Sequence, residues 1–98
     1  MIYVFDIDGT ICYSKTNDYK DSKPILTRIE IINSLYDDGN TIIFNTARGQ
    51  ASGVDYTYLT REQLKKWGVK HHKLYMGKPA GDIYIDDKGI TDTEFFKD

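Results

Sequence analysis

The run Met1-Ile2-Tyr3-Val4-Phe5, followed at once by Asp6-Ile7-Asp8-Gly9-Thr10, constrains this chain more than any other stretch. Large apolar and β-branched residues in an unbroken run read as a strand buried in a parallel sheet. Two carboxylates two residues apart at its carboxyl end point the same way while the chain stays extended. Open α/β sheets collect their ligands at that end. Paired acids there can hold a hard cation and divide nucleophilic from acid–base duty. On its own, Asp-x-Asp-Gly-Thr also reads as a calcium-type turn or a solvated loop.

Ninety-eight residues make a single domain, 1–98, large enough for a core yet short for an α/β enzyme. With 13 basic and 15 acidic side chains the net charge is −2. That balance offers no general attraction to nucleic acid or to an anionic membrane. The single Cys12 excludes an internal disulfide framework and fits a reducing compartment, where it reads as a small buried hydrophobe. No apolar run approaches the ~20 residues of a membrane span. The opening residues read as a strand without a basic n-region, so no signal peptide is expected. Cytoplasmic location follows as the expectation.

Strand and helix patterns then alternate, as in βαβ units around a parallel sheet. Tyr13 to Lys23 is polar and lacks apolar periodicity, hence a loop. Asp21 or Ser22 can cap a helix, with Pro24 in its first turn, and Ile25, Ile29, Ile32, Leu35 and Tyr36 recur at helical spacing before Gly39. Thr41 to Phe44 reads as a second strand ending at Asn45-Thr46, and Arg48 to Gly53 as a loop. Tyr56, Leu59, Leu64 and Trp67 mark a second helix closed by Gly68. Lys73 to Tyr75 is a short third strand and Asp82 to Ile85 a fourth, ending in Asp86-Asp87. Thr91 to Asp98 reads as a short helix with Phe95 and Phe96 turned inward.

The chemically loaded residues fall where strands end: Asp6 and Asp8, Thr46, Lys78 in Gly77-Lys78-Pro79, and Asp86-Asp87. Right-handed crossovers place such ends on one sheet edge, so four polar clusters are expected to converge on one site. Each has a plainer reading: a capping hydroxyl for Thr46, a solvated charge for Lys78, a polar turn for Asp86-Asp87. Two adjacent acids beside two more repel unless a cation lies between them, which favours metal. His71-His72 precedes the third strand, at the edge away from the site, and reads as a surface pair. Tyr13, Tyr19, Tyr56 and Tyr58 fall in or beside the loops over the site, with ordinary packing as their default role.

Asp6-Ile7-Asp8-Gly9-Thr10, Thr46, Lys78 and Asp86-Asp87, in that order, resemble the motifs of the haloacid dehalogenase-like phosphohydrolases. Asn45-Thr46-Ala47-Arg48-Gly49, Gly77-Lys78-Pro79 and Tyr84-Ile85-Asp86-Asp87-Lys88 look most like the small phosphatases associated with capsular polysaccharide biosynthesis. The resemblance implies a three-layer, Rossmann-like α/β fold with a minimal four-stranded parallel sheet in the order 4-1-2-3. It implies Asp6 as nucleophile, forming an aspartyl phosphate, and Asp8 as acid and base. Thr46 would donate to a phosphoryl oxygen and Lys78 would neutralise it. Gly9, Thr10, Ala47, Arg48 and Lys88 are the substrate-binding candidates. Mg²⁺ would take Asp6, the Asp8 carbonyl, Asp86 and, directly or through water, Asp87.

Members of this superfamily often insert a cap domain after the first or second strand. Tyr13 to Lys23 and Gln50 to Asp55 are too short for one, so a capless form is expected. The implied substrate is a small phosphorylated metabolite, a sugar or sugar-acid phosphate. A nucleotide or polynucleotide-end phosphatase is the rival within enzymes, and a catalytically silent binding module the rival outside them. Nucleic acid is disfavoured by the acidic balance, and no membrane partner is implied. A homo-oligomer is expected because two sheet edges and an uncapped site would otherwise stay open.

Overall fold

The computed structural model describes residues 1–15 and 18–98. Its elements run β1 (Ile2–Phe5), β2 (Cys12–Lys15), β3 (Asp18–Pro24), α1 (Leu26–Asp37), β4 (Thr41–Asn45), α2 (Thr57–Lys66), β5 (Lys73–Tyr75) and α3 (Asp92–Phe96). The sheet is parallel and three-stranded, in the order β1-β4-β5. A separate antiparallel pair, β2-β3, follows the first strand.

The register puts Tyr3 beside Ile42, Phe5 beside Phe44 and Phe44 beside Leu74. That face is the core face. Ile29 and Ile32 from α1, Leu64 from α2 and Phe96 from α3 join Phe5, Ile42 and Phe44 in one buried cluster. The opposite face keeps Ile2 69% and Val4 61% exposed, with Tyr75 half exposed. The architecture is therefore two layers with one largely bare sheet face, and the expected third layer is not formed.

The expected four-stranded sheet in the order 4-1-2-3 is overturned as well. Strands β1, β4 and β5 take the places of the first three, but Asp82 to Ile85 forms no strand, and Ile83 and Ile85 are 78% and 95% exposed. Turn chemistry overrides β propensity here. The Tyr84 hydroxyl accepts from the Gly81 N–H and donates to the Pro79 carbonyl, folding the segment into a local turn. Asp86 closes a further turn by accepting from the Lys88 N–H.

Tyr13 to Lys23, expected as a loop, carries the β2-β3 hairpin instead; Thr16 and Asn17 within it lie outside the described residues. Its one fully inward position on β3 is Ser22, so an apolar alternation never appears. Pairing Cys12 with Pro24 keeps the chain extended to Pro24, and α1 starts after Ile25 without a side-chain cap. At the other end Thr91 caps α3 by accepting from the Glu94 N–H. Buried Arg28 then ties three parts together, donating to Asp92, to Asp98 and to the carbonyl of Thr10. This bond fixes the loop that follows β1 against α1 and α3.

Candidate active site

Ile7 is fully buried between Asp6 and Asp8, so the acids flanking it turn together toward the open edge. The turn beyond is closed by donations from Thr10 and Ile11 N–H to the Ile7 carbonyl and from Gly9 N–H to the Cys12 carbonyl. Parallel pairing brings the ends of β4 and β5 alongside. Thr46 N–H donates to the Tyr75 carbonyl and Lys78 N–H to the Thr46 carbonyl. Asp6, Asp8, Thr46, Ala47, Arg48 and Lys78 thereby line one cleft of about 320 Å³, with Tyr19 and Tyr84 among its walls.

Lys78 Nζ lies 3.6 Å from Asp6 Oδ1 and 4.3 Å from the centre of the Tyr84 ring. Burial pushes the Asp6 carboxyl above its ordinary range, and the Lys78 charge offsets this only in part. Thr46 is buried, and its hydroxyl accepts from the Arg48 N–H. That leaves the hydroxyl proton for an anion in the cleft.

Asp8 is held differently. Burial opposes its ionisation, but hydrogen bonds from Arg48 and Ser14, with the Arg48 charge, win and hold its carboxyl below the usual range. Arg48 Nε donates to Asp8 Oδ2 and Nη2 to Oδ1, each at 2.9 Å, a bidentate fork. Burial raises the thiol of the neighbouring Cys12, which is fully buried.

Of the proposed substrate contacts, Ala47 and Arg48 line the cleft, and Arg48 spends its donors on the protein. Thr10 lines a second cleft of about 760 Å³, shared with Asp6, Lys78, Asp86 and Tyr84. Gly9 is exposed with φ 81°, a conformation suited to glycine. Lys88 lines a separate groove beside β1 and is not brought to the Asp6–Asp8 cleft. Asp86 and Asp87 are exposed. Among the described residues, no three His, Cys, Asp or Glu side chains converge to hold an ion. The oxygen donors of Asp6 and Asp86 suit Mg²⁺ in kind, and both carboxylates line the larger cleft.

Five participants escaped the reading of the sequence: Ser14, Ser22, Thr60, Gln63 and Tyr84. Thr60 and Gln63 are buried beside Leu64 on α2, and both accept from Arg48 Nη1. Two polar residues at i and i+3 next to a core leucine were the available signal. His71 and His72 lie away from the cleft, where His72 Nδ1 accepts from the Ile42 N–H and its ring stacks on Tyr36.

No family model matches the chain, and no curated protein matches it. Among solved structures, it is similar to the crystal structure of an MCSG target from Vibrio cholerae. The two share 27% identity and a TM-score of 0.88, covering 97% of this chain and 86% of that one.

Proposed function

We propose that this chain is a phosphomonoester hydrolase of the haloacid dehalogenase-like kind, acting in the cytoplasm on a small phosphorylated metabolite such as a sugar or sugar-acid phosphate. One observation carries the reading: Asp6, Asp8, Thr46 and Lys78 come from three strand ends onto one cleft. A nucleophile, a proton carrier, a hydroxyl donor and a cation are what phosphoryl transfer asks of a protein. A cleft of about 320 Å³ suits a small substrate.

In the first step an Asp6 carboxylate oxygen attacks phosphorus, and the bond from phosphorus to the ester oxygen breaks. Protonated Asp8 gives its proton to that leaving oxygen. Arg48 and Ser14 hold Asp8 ionised in the free fold, so its proton has to arrive with the substrate, whose phosphate charge disfavours a second anion beside it. In the second step the Asp8 carboxylate takes a proton from water as the water oxygen attacks phosphorus. The acyl phosphate then releases Asp6 as a carboxylate. One water is consumed, and the proton on Asp8 is restored.

Lys78 and the Thr46 hydroxyl hold phosphoryl oxygens through both steps. Mg²⁺ is the proposed cofactor on the donor chemistry of Asp6 and Asp86; it supplies charge neutralisation when bound. The steps above use only the chain's own groups. The test is phosphate release from a panel of phosphate monoesters, with Mg²⁺ and with excess chelator. Release that depends on Mg²⁺ supports the reading, and no release across a broad panel removes it.

A further inference from the structure

Arg48 is the most enclosed charge in the molecule's cleft: the residue is 2% exposed and its side chain is fully covered. Its guanidinium donors all have acceptors. Nε and Nη2 grip Asp8, Nη1 donates to Thr60 Oγ1 and Gln63 Oε1, and Nη2 also approaches Ser22 Oγ at 3.5 Å. The Arg48 guanidinium carbon lies 4.8 Å from the centre of the Tyr19 ring, which packs edge-on against Tyr56. A group so committed has no donor left for a substrate.

The contacts close into a ring. Ser14 Oγ lies within hydrogen-bond reach of Asp8 Oδ1 and of Ser22 Oγ, and Ser22 Oγ within reach of the Tyr19 carbonyl, with two hydroxyl protons to serve these three contacts. That carbonyl also accepts from Gln63 Nε2, and Gln63 Oε1 accepts from Arg48, which returns to Asp8. The ring crosses four parts of the fold: the turn after β1 that carries Asp8, the hairpin β2-β3, the start of the β4–α2 loop and α2 itself. Both Asp8 oxygens are thereby fixed in one plane, and the hairpin is fastened to α2 with Tyr19 beside the cleft.

We infer that Arg48 is a positioning residue, which aims the Asp8 carboxylate and latches the β2-β3 hairpin over the site, and does not bind substrate. Its role in turnover rests on the phosphatase reading; its contacts do not. Lysine at this position keeps the charge but loses the fork. A misplacement of about 1 Å in a reacting group can cost on the order of 100-fold in rate.

The test has two arms. In the kinetic arm, Arg48→Lys is expected to lower kcat by about 100-fold with KM within about twofold of wild type. Gln63→Ala, a milder cut outside the cleft lining, is expected to move kcat in the same direction by less. A rise in KM with kcat retained in Arg48→Lys overturns the inference and makes Arg48 a substrate ligand. Should Arg48→Lys fail to fold, Gln63→Ala decides by the same split, and a kcat equal to wild type overturns it. In the second arm, ¹⁵N–¹H spectra follow the Arg48 Nε–H, expected to be sharp and protected from exchange in wild type and in Asp6→Asn but not in Asp8→Asn. Equal protection in Asp8→Asn overturns it without any assay of turnover. A wild type that hydrolyses nothing removes the phosphatase reading, while this spectrum still decides the contact.

Discussion

Lys78 Nζ sits 3.6 Å from Asp6 Oδ1, yet the Asp6 carboxyl stays above its ordinary range. Burial costs the anion more than this one cation returns, so the Asp6 carboxylate is a destabilised anion in the fold. A folded pKa above the unfolded value means stability that is full below the unfolded value and lost as pH rises through the folded one. Asp6→Asn is therefore expected to melt higher than wild type at pH 7 without metal. The gap should close as pH falls below the ordinary carboxylate value of about 3.9. Thermal melts at the two pH values check it, and a lower melting point for Asp6→Asn at pH 7 contradicts it.

Asp8 runs the other way. Its carboxyl is held down against burial by Arg48 and Ser14, so its contribution is present above the unfolded value and lost as pH falls through the lower folded one. Asp8→Asn leaves the covered Arg48 guanidinium without its counter-charge. A loss of about 2–3 kcal/mol at neutral pH is expected, at the low end for a broken buried pair because Asp8 keeps some solvent. Urea unfolding measures it, and an unchanged midpoint counts against the pair as drawn.

The sheet edge and its acids were legible in the sequence because hydrophobic runs and their end residues are local signals. β1, β4 and β5 stand where those runs placed them, and Asp6, Asp8, Thr46 and Lys78 share one cleft. Ile83-Tyr84-Ile85 misled for the same reason: the run is apolar, but the Tyr84 hydroxyl finds Pro79 and Gly81 and the turn prevails. The hairpin was illegible because its inward residue is Ser22, whose partners, Ser14 and Arg48, are remote in sequence or polar. Arg48 itself was visible, but its direction was not. Only the fold decides that it faces Asp8, Thr60 and Gln63.

Gly49 is where the backbone behind Arg48 admits no side chain. It has φ +84°, and an added Cβ would lie 2.0 Å from the Val54 carbonyl oxygen. Gly49→Ala therefore meets both strain and a backbone clash, and is expected to cost about 2 kcal/mol or more of stability. Denaturant melts test this; a stability equal to wild type would show that the turn after Arg48 can rearrange freely.

Ile2, Val4 and Tyr75 leave one sheet face open, and Val4 also borders the larger cleft that Asp6 shares. Met1 is 84% exposed as well, so this face gathers several exposed apolar side chains where scattered ones are the norm. A second copy of this chain is the proposed cover, since pairing two such faces removes both from water. Light scattering at micromolar concentration is expected to give the mass of two chains or a multiple, and Ile2→Lys the mass of one. A wild type at the mass of one chain contradicts this.

A carboxylate oxygen of Asp6 is the proposed acceptor of the phosphoryl group. The direct measurement is phosphate release by wild type and by Asp6→Asn, with the fold of each checked by circular dichroism. Wild type should release phosphate from at least one small phosphate monoester, and folded Asp6→Asn should release none above the rate without protein. Hydrolysis by folded Asp6→Asn at a rate near wild type would contradict the mechanism.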